Sequence, residues 1–219
     1  MAPVCDTAAW APQGSSVLCS LMLGLQDLLA RPAPAARTAP ARWQRPARVE
    51  PPPPGEPLSV AYVLQTLADA RDPSSIVVEE APSARPVMHE RLPILRPGTF
   101  YEMDSGGLGF GMAAAIGVAL AQPDVRTIAL VGDGSAMYTI QALWNAAQAR
   151  LPITFIILNN GRYAALQDFA PRFGFATGVK PEGSDLPGLD FVALAAGHGV
   201  PAQRIRSADQ LQQVLPAAL

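Results

Sequence analysis

Two short apolar runs, separated by about the length of one helix, constrain this chain most. Residues 126–131 form the first run and precede Gly132-Asp133-Gly134; residues 153–158 form the second and precede Asn159-Asn160. Runs of this length that are rich in Ile, Val and Leu are typical of strands buried in a parallel sheet. The carboxyl ends of such strands share one edge, where open α/β sheets bind ligands. The sequence therefore predicts Asp133 and Asn160 at neighbouring strand ends.

The polar residues at these strand ends suit a cation and a phosphate. A carboxylate and an amide oxygen are ligands that a hard divalent cation such as Mg²⁺ accepts. Gly132 and Gly134 leave room for a phosphate to approach the backbone, and Ser135 with the first amides of the next helix would face that anion. The alternative is that Asp-Gly and Asn-Gly are ordinary turn dipeptides that bind nothing.

From Leu58 onward, predicted strands alternate with predicted helices. This alternation predicts an α/β domain with a doubly wound parallel sheet and helices on both faces. The predicted strands are residues 75–78, 126–131, 153–158 and 201–205. The predicted helices are residues 60–67, 84–92, 106–121, 136–149, 163–169, 190–196 and 207–215. No strand follows the last helix, so we expect a sheet that is truncated at its last strand.

The first 57 residues have a different composition from the rest of the chain. They hold 11 of the 23 prolines, and such a segment behaves largely as an extended linker. Residues 16–29 within it could form one amphipathic helix. We therefore predict a Pro-rich linker and remnant of a preceding domain over residues 1–57, and a ligand-binding domain over residues 58–219.

Composition excludes several classes of partner and location. The net charge of −2 and the absence of a long basic run give no reason to expect nucleic acid or an anionic membrane as a partner. Cys5 and Cys19 form neither a disulfide framework nor a metal-ligand pattern. Residues 1–10 make a poor signal peptide, and the apolar stretch 109–121 is too short to span a bilayer. These features favour a cytoplasmic protein.

The two polar segments together resemble a known family. A GDG followed by NN at this separation is similar to the magnesium-diphosphate motif of the thiamin-diphosphate enzymes. The resemblance extends from about Leu58 through the rest of the chain and lies within the diphosphate-binding domain of that family. Residues 132–169 look most like the benzoylformate decarboxylases, which are 2-oxo-acid decarboxylases. Acetolactate synthases share the same framework.

The resemblance implies roles for individual residues. Magnesium would be held by Asp133, Asn160 and the backbone carbonyl of Arg162. The Gly106 carbonyl would accept a hydrogen bond from the 4′-amino group of the cofactor, and Leu108 would bend the cofactor into a V; the alternative for this segment is a glycine-rich helix start. The implied cofactor-binding residues are Gly106, Gly107, Leu108, Gly132, Asp133, Gly134, Ser135, Asn160, Arg162 and Tyr163.

Two residues bear on the substrate that the resemblance implies. Glu102 departs from the benzoylformate decarboxylase pattern; it would repel an anionic aryl 2-oxo acid if it faced the pocket, or it is solvated or paired with an Arg. Phe169 matches an aromatic pocket position, or it is a core aromatic. His89 and His198 lie away from the motif, and we expect them to be structural or solvated.

The family also uses a glutamate on a separate pyrimidine-binding domain. Residues 1–57 are too short and too Pro-rich to form that domain, so we expect this chain to carry half an active site and to be inactive alone. The resemblance implies a dimer or tetramer in the complete enzyme. The alternatives are a carboligase like acetolactate synthase, or a non-catalytic cofactor-binding fragment of a truncated gene.

Overall fold

The structure, a computed structural model, describes residues 17–33, 35–36, 38–39, 41 and 44–219. It divides into two compact units, residues 1–43 and residues 44–219. In the first unit, helix α1 (Leu21–Ala30) begins after Ser20, whose hydroxyl accepts a hydrogen bond from the Leu23 amide at 3.3 Å. The predicted helix over residues 16–29 is therefore confirmed from Leu21 onward. Residue 16 and Cys5 lie outside the described residues.

The second unit is built on one four-stranded parallel sheet. Its strands are β1 (Ile76–Glu80), β2 (Phe100–Glu102), β3 (Thr127–Gly132) and β4 (Ile153–Leu158), in the order β2-β1-β3-β4. The chain moves outward from β1 to β2 and then returns to the other side of β1 with β3. The direction of winding therefore reverses between β1 and β3. Ligands of open α/β sheets bind at the carboxyl ends of the strands beside such a reversal.

Helices cover both faces of this sheet. The helices of the second unit are α2 (Val60–Ala70), α3 (Arg85–Arg91), α4 (Gly111–Ala121), α5 (Asp133–Ala136), α6 (Ala142–Ala149), α7 (Ala164–Phe169), α8 (Phe191–Gly197) and α9 (Ala208–Ala218). One core joins Val77 and Leu130 to α2, α3 and α9, and the other joins Val78 and Val131 to α4, α6 and α8. Because side chains alternate along a strand, β1, β3 and β4 each contribute to both cores. The predicted doubly wound α/β fold is confirmed.

Polar N-caps begin several of the predicted helices. The Ser59 hydroxyl accepts a hydrogen bond from the Tyr62 amide at 3.2 Å, and the Asp190 carboxylate accepts one from the Val192 amide at 3.0 Å. Such caps satisfy amides that have no partner within the helix. The Ser207 hydroxyl likewise accepts a hydrogen bond from the Gln210 amide at 3.3 Å. None of the helices in the described ranges is long and apolar enough to cross a membrane.

Two predicted helices are shorter in the structure. The helix expected from residue 106 begins only at Gly111, because Gly106 and Gly109 have φ angles of +71° and +97°. These left-handed conformations do not continue a right-handed helix. The helix expected over residues 136–149 is divided into α5 and α6 by a run of turns.

The prediction of a strand over residues 201–205 is wrong. These residues pair with no strand among those described. Pro201 has no amide hydrogen to donate to a sheet, and Ile205 packs instead against the core beneath α2 and α9. The sequence analysis also missed β2, which is only three residues long and pairs with β1 alone.

Part of the Pro-rich segment contacts helix α2. The Gln65 side chain accepts a hydrogen bond from the Val49 amide at 2.9 Å and donates one to the Val49 carbonyl at 3.0 Å. Asp69 accepts hydrogen bonds from Arg45 at 2.5 Å and Arg48 at 2.8 Å. Burial opposes ionisation of Asp69, but the bonds from the two guanidinium groups outweigh it and lower the pKa of this carboxyl. The domain boundary at residue 57 stays a prediction.

Candidate functional site

Asp133 connects the ends of two neighbouring strands. It follows β3 directly and is 2% exposed. One carboxylate oxygen, Oδ1, accepts a hydrogen bond from the Gly134 amide at 2.9 Å, and Oδ2 accepts one from the Gly161 amide at 2.6 Å. The segment after β3, residues 132–135 (the aspartate turn), therefore lies against the segment after β4, residues 159–163 (the asparagine turn).

The asparagine turn is shaped by its own side chains. Asn159 Oδ1 accepts a hydrogen bond from the Gly161 amide, and Asn160 Oδ1 accepts one from the Arg162 amide, both at 3.1 Å. Gly161 has a φ of +70°, which a residue with a Cβ adopts at a cost. Both asparagines are exposed. Their amide oxygens therefore lie at the surface of the sheet edge, beside the buried Asp133.

A second chain segment holds the asparagine turn from its other side. The Tyr163 amide donates to the Ser184 carbonyl at 2.8 Å, and the Leu186 amide donates to the Gly161 carbonyl at 2.7 Å. This short antiparallel bridge uses the backbone of Gly161 and Tyr163. The Arg162 carbonyl does not take part in the bridge.

The ring of Tyr163 lies directly on Gly134. A Cβ added at residue 134 would come within 2.5 Å of the Tyr163 Cδ1 atom, well inside van der Waals contact. Burial, followed by the proximity of Tyr138 and Asp133, raises the pKa of the Tyr163 phenol. The ring closes one side of the aspartate turn.

The two glycines of the aspartate turn differ in the space around them. A Cβ at Gly132 would lie 3.7 Å from Ser135 Oγ and 3.8 Å from the Glu80 carbonyl oxygen, which are ordinary contacts. Only Gly134 lacks space for a side chain. Ser135 is 5% exposed and belongs to α5. The sequence predicted a long helix after this turn, whose dipole would favour an anion. Because α5 has only four residues, that dipole is absent.

The glycine loop, residues 106–110, lies at the same edge. Its Gly109 would place a Cβ 3.2 Å from the Tyr138 Cβ, so the loop packs against the segment that follows α5. The Gly109 amide donates to Glu80 Oε1 at 2.7 Å, and the Gly111 amide donates to Glu80 Oε2. Gly106 and Gly107 are exposed, and Leu108 is half-buried.

Glu80 is a site residue that the sequence analysis missed. The predicted strand stopped at Val78, whereas β1 continues through Glu79 and Glu80, which are 1% and 3% exposed. Two acidic residues directly after an apolar run were the available signal. Charged side chains are rarely buried without partners, so their position at a strand end indicates specific contacts there.

Glu79 points to the opposite face of the sheet and meets a different partner. Its Oε2 lies 2.8 Å from Arg85 Nε, and Glu102 Oε2 lies 3.3 Å from the same nitrogen. The sequence left open whether Glu102 faces the pocket or is solvated or paired with an Arg; in the structure it pairs with Arg85. The Arg85 guanidinium balances part of the negative charge of the two carboxylates.

The remaining predicted residues lie at the periphery. Phe169 is 48% exposed, and the Arg172 guanidinium lies 5.1 Å from the centre of its ring, a distance typical of a cation–π contact. His89 is exposed on α3. His198 Nδ1 lies 2.7 Å from the Leu194 carbonyl oxygen. Neither histidine contacts the aspartate or asparagine turn.

The donor set at the sheet edge fits a hard cation. In the described part of the chain, no group of three or more His, Cys, Asp or Glu side chains could hold a metal ion. A cation here would therefore depend on Asp133 together with amide and backbone oxygens. Carboxylate and amide oxygens each carry two lone pairs, so the bonds from Gly161 and Arg162 leave acceptor capacity on Asp133 and Asn160. Mg²⁺ accepts such a set when its ligand supplies further oxygens.

Comparison with known families identifies the same part of the chain. Residues 83–219 match the family described as "Thiamine pyrophosphate enzyme, C-terminal TPP binding domain". The match contains the glycine loop, the aspartate turn and the asparagine turn. It begins just after β1, at residue 83, and so includes three of the four strands.

Two curated relatives illustrate the range of similar proteins. The chain is 42% identical to a benzoylformate decarboxylase of Pseudomonas aeruginosa over 98% of its own length and 40% of that protein. It is 35% identical to a putative acetolactate synthase large subunit of Mycobacterium tuberculosis, over 74% of this chain and 32% of that protein. The chain therefore spans well under half of the length of these relatives.

Solved structures show the same fold. The thiamine diphosphate-dependent 4-hydroxybenzoylformate decarboxylase of Rhodococcus jostii superimposes with a TM-score of 0.78 at 36% identity, covering 96% of this chain and 39% of that one. The benzoylformate decarboxylase of Polynucleobacter necessarius gives a TM-score of 0.70 at 32% identity, covering 74% and 31%.

Proposed function

Because this chain belongs to the thiamine pyrophosphate enzymes through their C-terminal cofactor-binding domain, we propose that it binds thiamin diphosphate and Mg²⁺ as part of a 2-oxo-acid decarboxylase. The observation that carries the proposal is the Asp133 carboxylate, which links the aspartate and asparagine turns through the Gly134 and Gly161 amides. This link places the carboxylate and amide oxygens at the edge where open α/β sheets bind ligands.

The metal would be held by the carboxylate of Asp133, the amide oxygen of Asn160 and the backbone carbonyl of Arg162. A single carboxylate among the protein ligands suits a cation whose other ligand is a diphosphate, because that ligand brings its own negative charge. The bridge to residues 184–186 supports this role, since it fixes the asparagine turn without using the Arg162 carbonyl.

The cofactor would lie between the aspartate turn and the glycine loop. Gly132, Gly134 and Ser135 would bind the diphosphate, and Tyr163 would close that side of the site. Gly106, Gly107 and Leu108 would hold the ring portion, with the Gly106 carbonyl accepting a hydrogen bond and Leu108 supplying an apolar support. When bound, thiamin diphosphate accepts the electron pair that remains after a 2-oxo acid loses carbon dioxide.

An aryl 2-oxo acid is the substrate class that we propose. The support is the identity of 42% with a benzoylformate decarboxylase over nearly the whole chain. Phe169 would contact the substrate ring, since nearly half of its surface is accessible. The ion pair of Glu102 with Arg85 reduces the repulsion that an unpaired carboxylate would exert on an anionic substrate.

The catalytic unit would require a partner. We propose that a pyrimidine-binding domain supplies the glutamate that promotes cofactor activation, and that the complete enzyme is a cytoplasmic homodimer or tetramer. The chain alone would then bind the cofactor without turning over substrate. We expect the pure chain to bind thiamin diphosphate but not to decarboxylate benzoylformate or pyruvate. Turnover by the pure chain would contradict this proposal.

The second candidate reaction is carboligation. It is favoured by the acetolactate synthase relative at 35% identity. The two reactions share the cofactor site and differ in the fate of the product carbon after decarboxylation. With a complementary pyrimidine-binding domain supplied, an aldehyde from benzoylformate would support the decarboxylase, whereas acetolactate from pyruvate would support the carboligase. Binding without either product would leave a non-catalytic cofactor-binding fragment.

Two substitutions at one residue test the metal site. Asp133→Ala removes both the proposed ligand and the acceptor for two amides, whereas Asp133→Asn keeps one acceptor oxygen and removes the charge. We expect Mg²⁺-dependent binding of thiamin diphosphate, measured by calorimetry, to fall at least a hundredfold in both variants. Unchanged affinity in Asp133→Asn would show that the carboxylate does not bind the metal.

A further inference from the structure

Glu80 is a buried carboxylate with no basic side chain as its hydrogen-bonding partner among the described residues. It is 3% exposed, and both of its oxygens accept hydrogen bonds from backbone amides, those of Gly109 and Gly111. Burying a charged group is costly unless it is paired or fully hydrogen-bonded. The two amides offset that cost, so the geometry of the Glu80 side chain and that of the glycine loop depend on each other.

These two hydrogen bonds (the tether) join the end of β1 to the segment that begins α4. Glu80 is the last residue of β1, and Gly109 and Gly111 flank the start of α4. A Cβ at Gly111 would lie 2.7 Å from the Glu80 Cβ, so the backbone of α4 approaches β1 as closely as a glycine allows. The carboxylate also caps the first amide of α4, that of Gly111, where a negative charge is favoured by the helix dipole.

We propose that Glu80 is a positioning residue that sets where the glycine loop holds the ring portion of the cofactor. The inference rests on the proposed function, because it assigns the loop to that cofactor. The near end of the loop makes only local contacts: the Gly106 amide donates to the Met103 carbonyl at 3.1 Å, and a Cβ at Gly106 would meet nothing within 4 Å. The loop is therefore located mainly from its far end, by Glu80 at Gly109 and by the packing of Gly109 on Tyr138.

Glu79 provides a matched control on the same strand. It is as deeply buried as Glu80 and is also an acceptor, for the Ala81 amide and the Arg85 guanidinium. Because neighbouring strand residues point to opposite faces, it contacts neither the glycine loop nor α4. Glu79→Gln therefore makes the same chemical change at the same depth without touching the tether.

Hydrogen exchange tests the tether on the chain without ligand. Glu80→Gln keeps the volume of the side chain and removes one acceptor oxygen, and Glu80→Asp keeps the charge on a shorter side chain. We expect the Gly109 and Gly111 amides to exchange about tenfold faster in Glu80→Gln, as for loss of one hydrogen bond to a charged group. The amides of the β3–β4 ladder should be unchanged, which also shows that the variant is folded.

Ligand affinities test the positioning role. The probes are Mg²⁺ with inorganic diphosphate, which requires only the aspartate and asparagine turns, and Mg²⁺ with thiamin diphosphate, which also requires the glycine loop. The measured quantity is the ratio of the two dissociation constants. We expect Glu80→Gln to weaken thiamin diphosphate binding about tenfold and to change diphosphate binding less than twofold, while Glu79→Gln keeps the wild-type ratio.

The outcomes separate the two proposals. If the wild-type chain binds neither probe, the proposed function fails and the positioning role fails with it. If the wild type binds both and Glu80→Gln weakens both equally, or neither, Glu80 is only a structural cap and the inference is overturned. If Glu80→Asp restores the ratio of dissociation constants that Glu80→Gln changes, the charge acts through the loop as we propose. If both variants weaken thiamin diphosphate binding and leave diphosphate binding unchanged, the positioning role is supported as well.

Discussion

The aspartate turn and the glycine loop lie at the same edge of the sheet but are held in different ways. The aspartate turn is buried, and its shape depends on one carboxylate, two amides and the ring of Tyr163. The glycine loop is exposed at Gly106 and is fixed mainly at its other end, where Glu80 accepts two amide hydrogens. One segment is determined by packing and the other by a tether.

This difference has a consequence for binding. A densely packed turn can present a preformed site to a diphosphate, because its atoms have no alternative positions of similar energy. A loop that is tethered at one end has lower local stability and adapts to its ligand. We therefore expect substitutions in the aspartate turn to act by steric conflict and those in the glycine loop to act by backbone conformation.

The largest expected effect is that of Gly134→Ala. The new methyl group would overlap the Tyr163 ring, so the ring or the aspartate turn must move. Overpacking of this kind costs about 1–3 kcal/mol, and we expect a clear fall in Tm and loss of detectable Mg²⁺-dependent thiamin diphosphate binding. Thermal denaturation and calorimetry provide the two measurements.

Two further variants sharpen this prediction. Gly117→Ala makes the same change on the exposed side of α4, where a Cβ meets nothing within 4 Å, and should raise Tm because alanine favours helix. Tyr163→Ala combined with Gly134→Ala removes the ring from the overlap and should recover part of the lost stability. A double variant as unstable as the sum of its parts would contradict the packing explanation.

A smaller effect is expected for Gly106→Ala. No atom would contact the new Cβ, but the φ of +71° is unfavourable for a residue with a side chain, at a cost of about 1–2 kcal/mol. Gly107→Ala is the control, because Gly107 has no positive φ and its Cβ would lie 3.7 Å from Ser105 Oγ. Chemical denaturation should show a loss only for residue 106. If Gly106→Ala and Gly107→Ala both lost as much stability as Gly134→Ala, the contrast between the aspartate turn and the glycine loop would be wrong.

The smallest effect concerns a region remote from both segments. Hydrogen bonds from Arg48 and Arg45 lower the pKa of Asp69 in the folded chain despite its burial. Its contribution to stability is therefore present above the unfolded-state pKa near 4 and is lost as pH falls through the lower folded-state pKa. We expect the Val49 amide, which donates to Gln65, to lose protection a few-fold on acidification.

The variant Asp69→Asn tests this explanation. It removes the charge that the two guanidinium groups stabilise, so the pH-dependent part of Val49 protection should disappear. Exchange at the amides of the β3–β4 ladder, which bond to backbone carbonyls, serves as the internal control for each pH. Equal pH dependence in the wild type and the variant would show that Asp69 does not hold residues 44–51.

Sequence patterns were sufficient for the fold and for the location of the proposed site. The apolar runs before Gly132 and Asn159 predicted two buried strands; β3 is buried, whereas β4, at the edge of the sheet, is half-buried. Their parallel pairing brings Asp133 to Gly161. The N-cap contacts of Asp190 and Ser207 are likewise local in sequence. These features depend on short-range chemistry or on the burial of a whole strand, which a sequence displays directly.

The features that the sequence did not predict depend on contacts between distant segments. The glycine loop was predicted to be the start of a helix, but Gly106 and Gly109 have left-handed conformations. Gly109 there lies against Glu80 and Tyr138, and the sequence does not display these contacts. The same holds for Arg85, which joins Glu79 to Glu102 across two strands. Residues 201–205 had the composition of a strand, but strand formation also requires a partner, and composition does not supply one.

The most direct test is a calorimetric titration of the wild-type chain with thiamin diphosphate, with and without Mg²⁺. We expect saturable binding with Mg²⁺ and much weaker binding in its absence, since the cation would join the diphosphate to Asp133 and Asn160. No binding in a chain shown to be folded, or binding that is equally tight without the metal, would contradict the assignment of this sheet edge as a magnesium-diphosphate site.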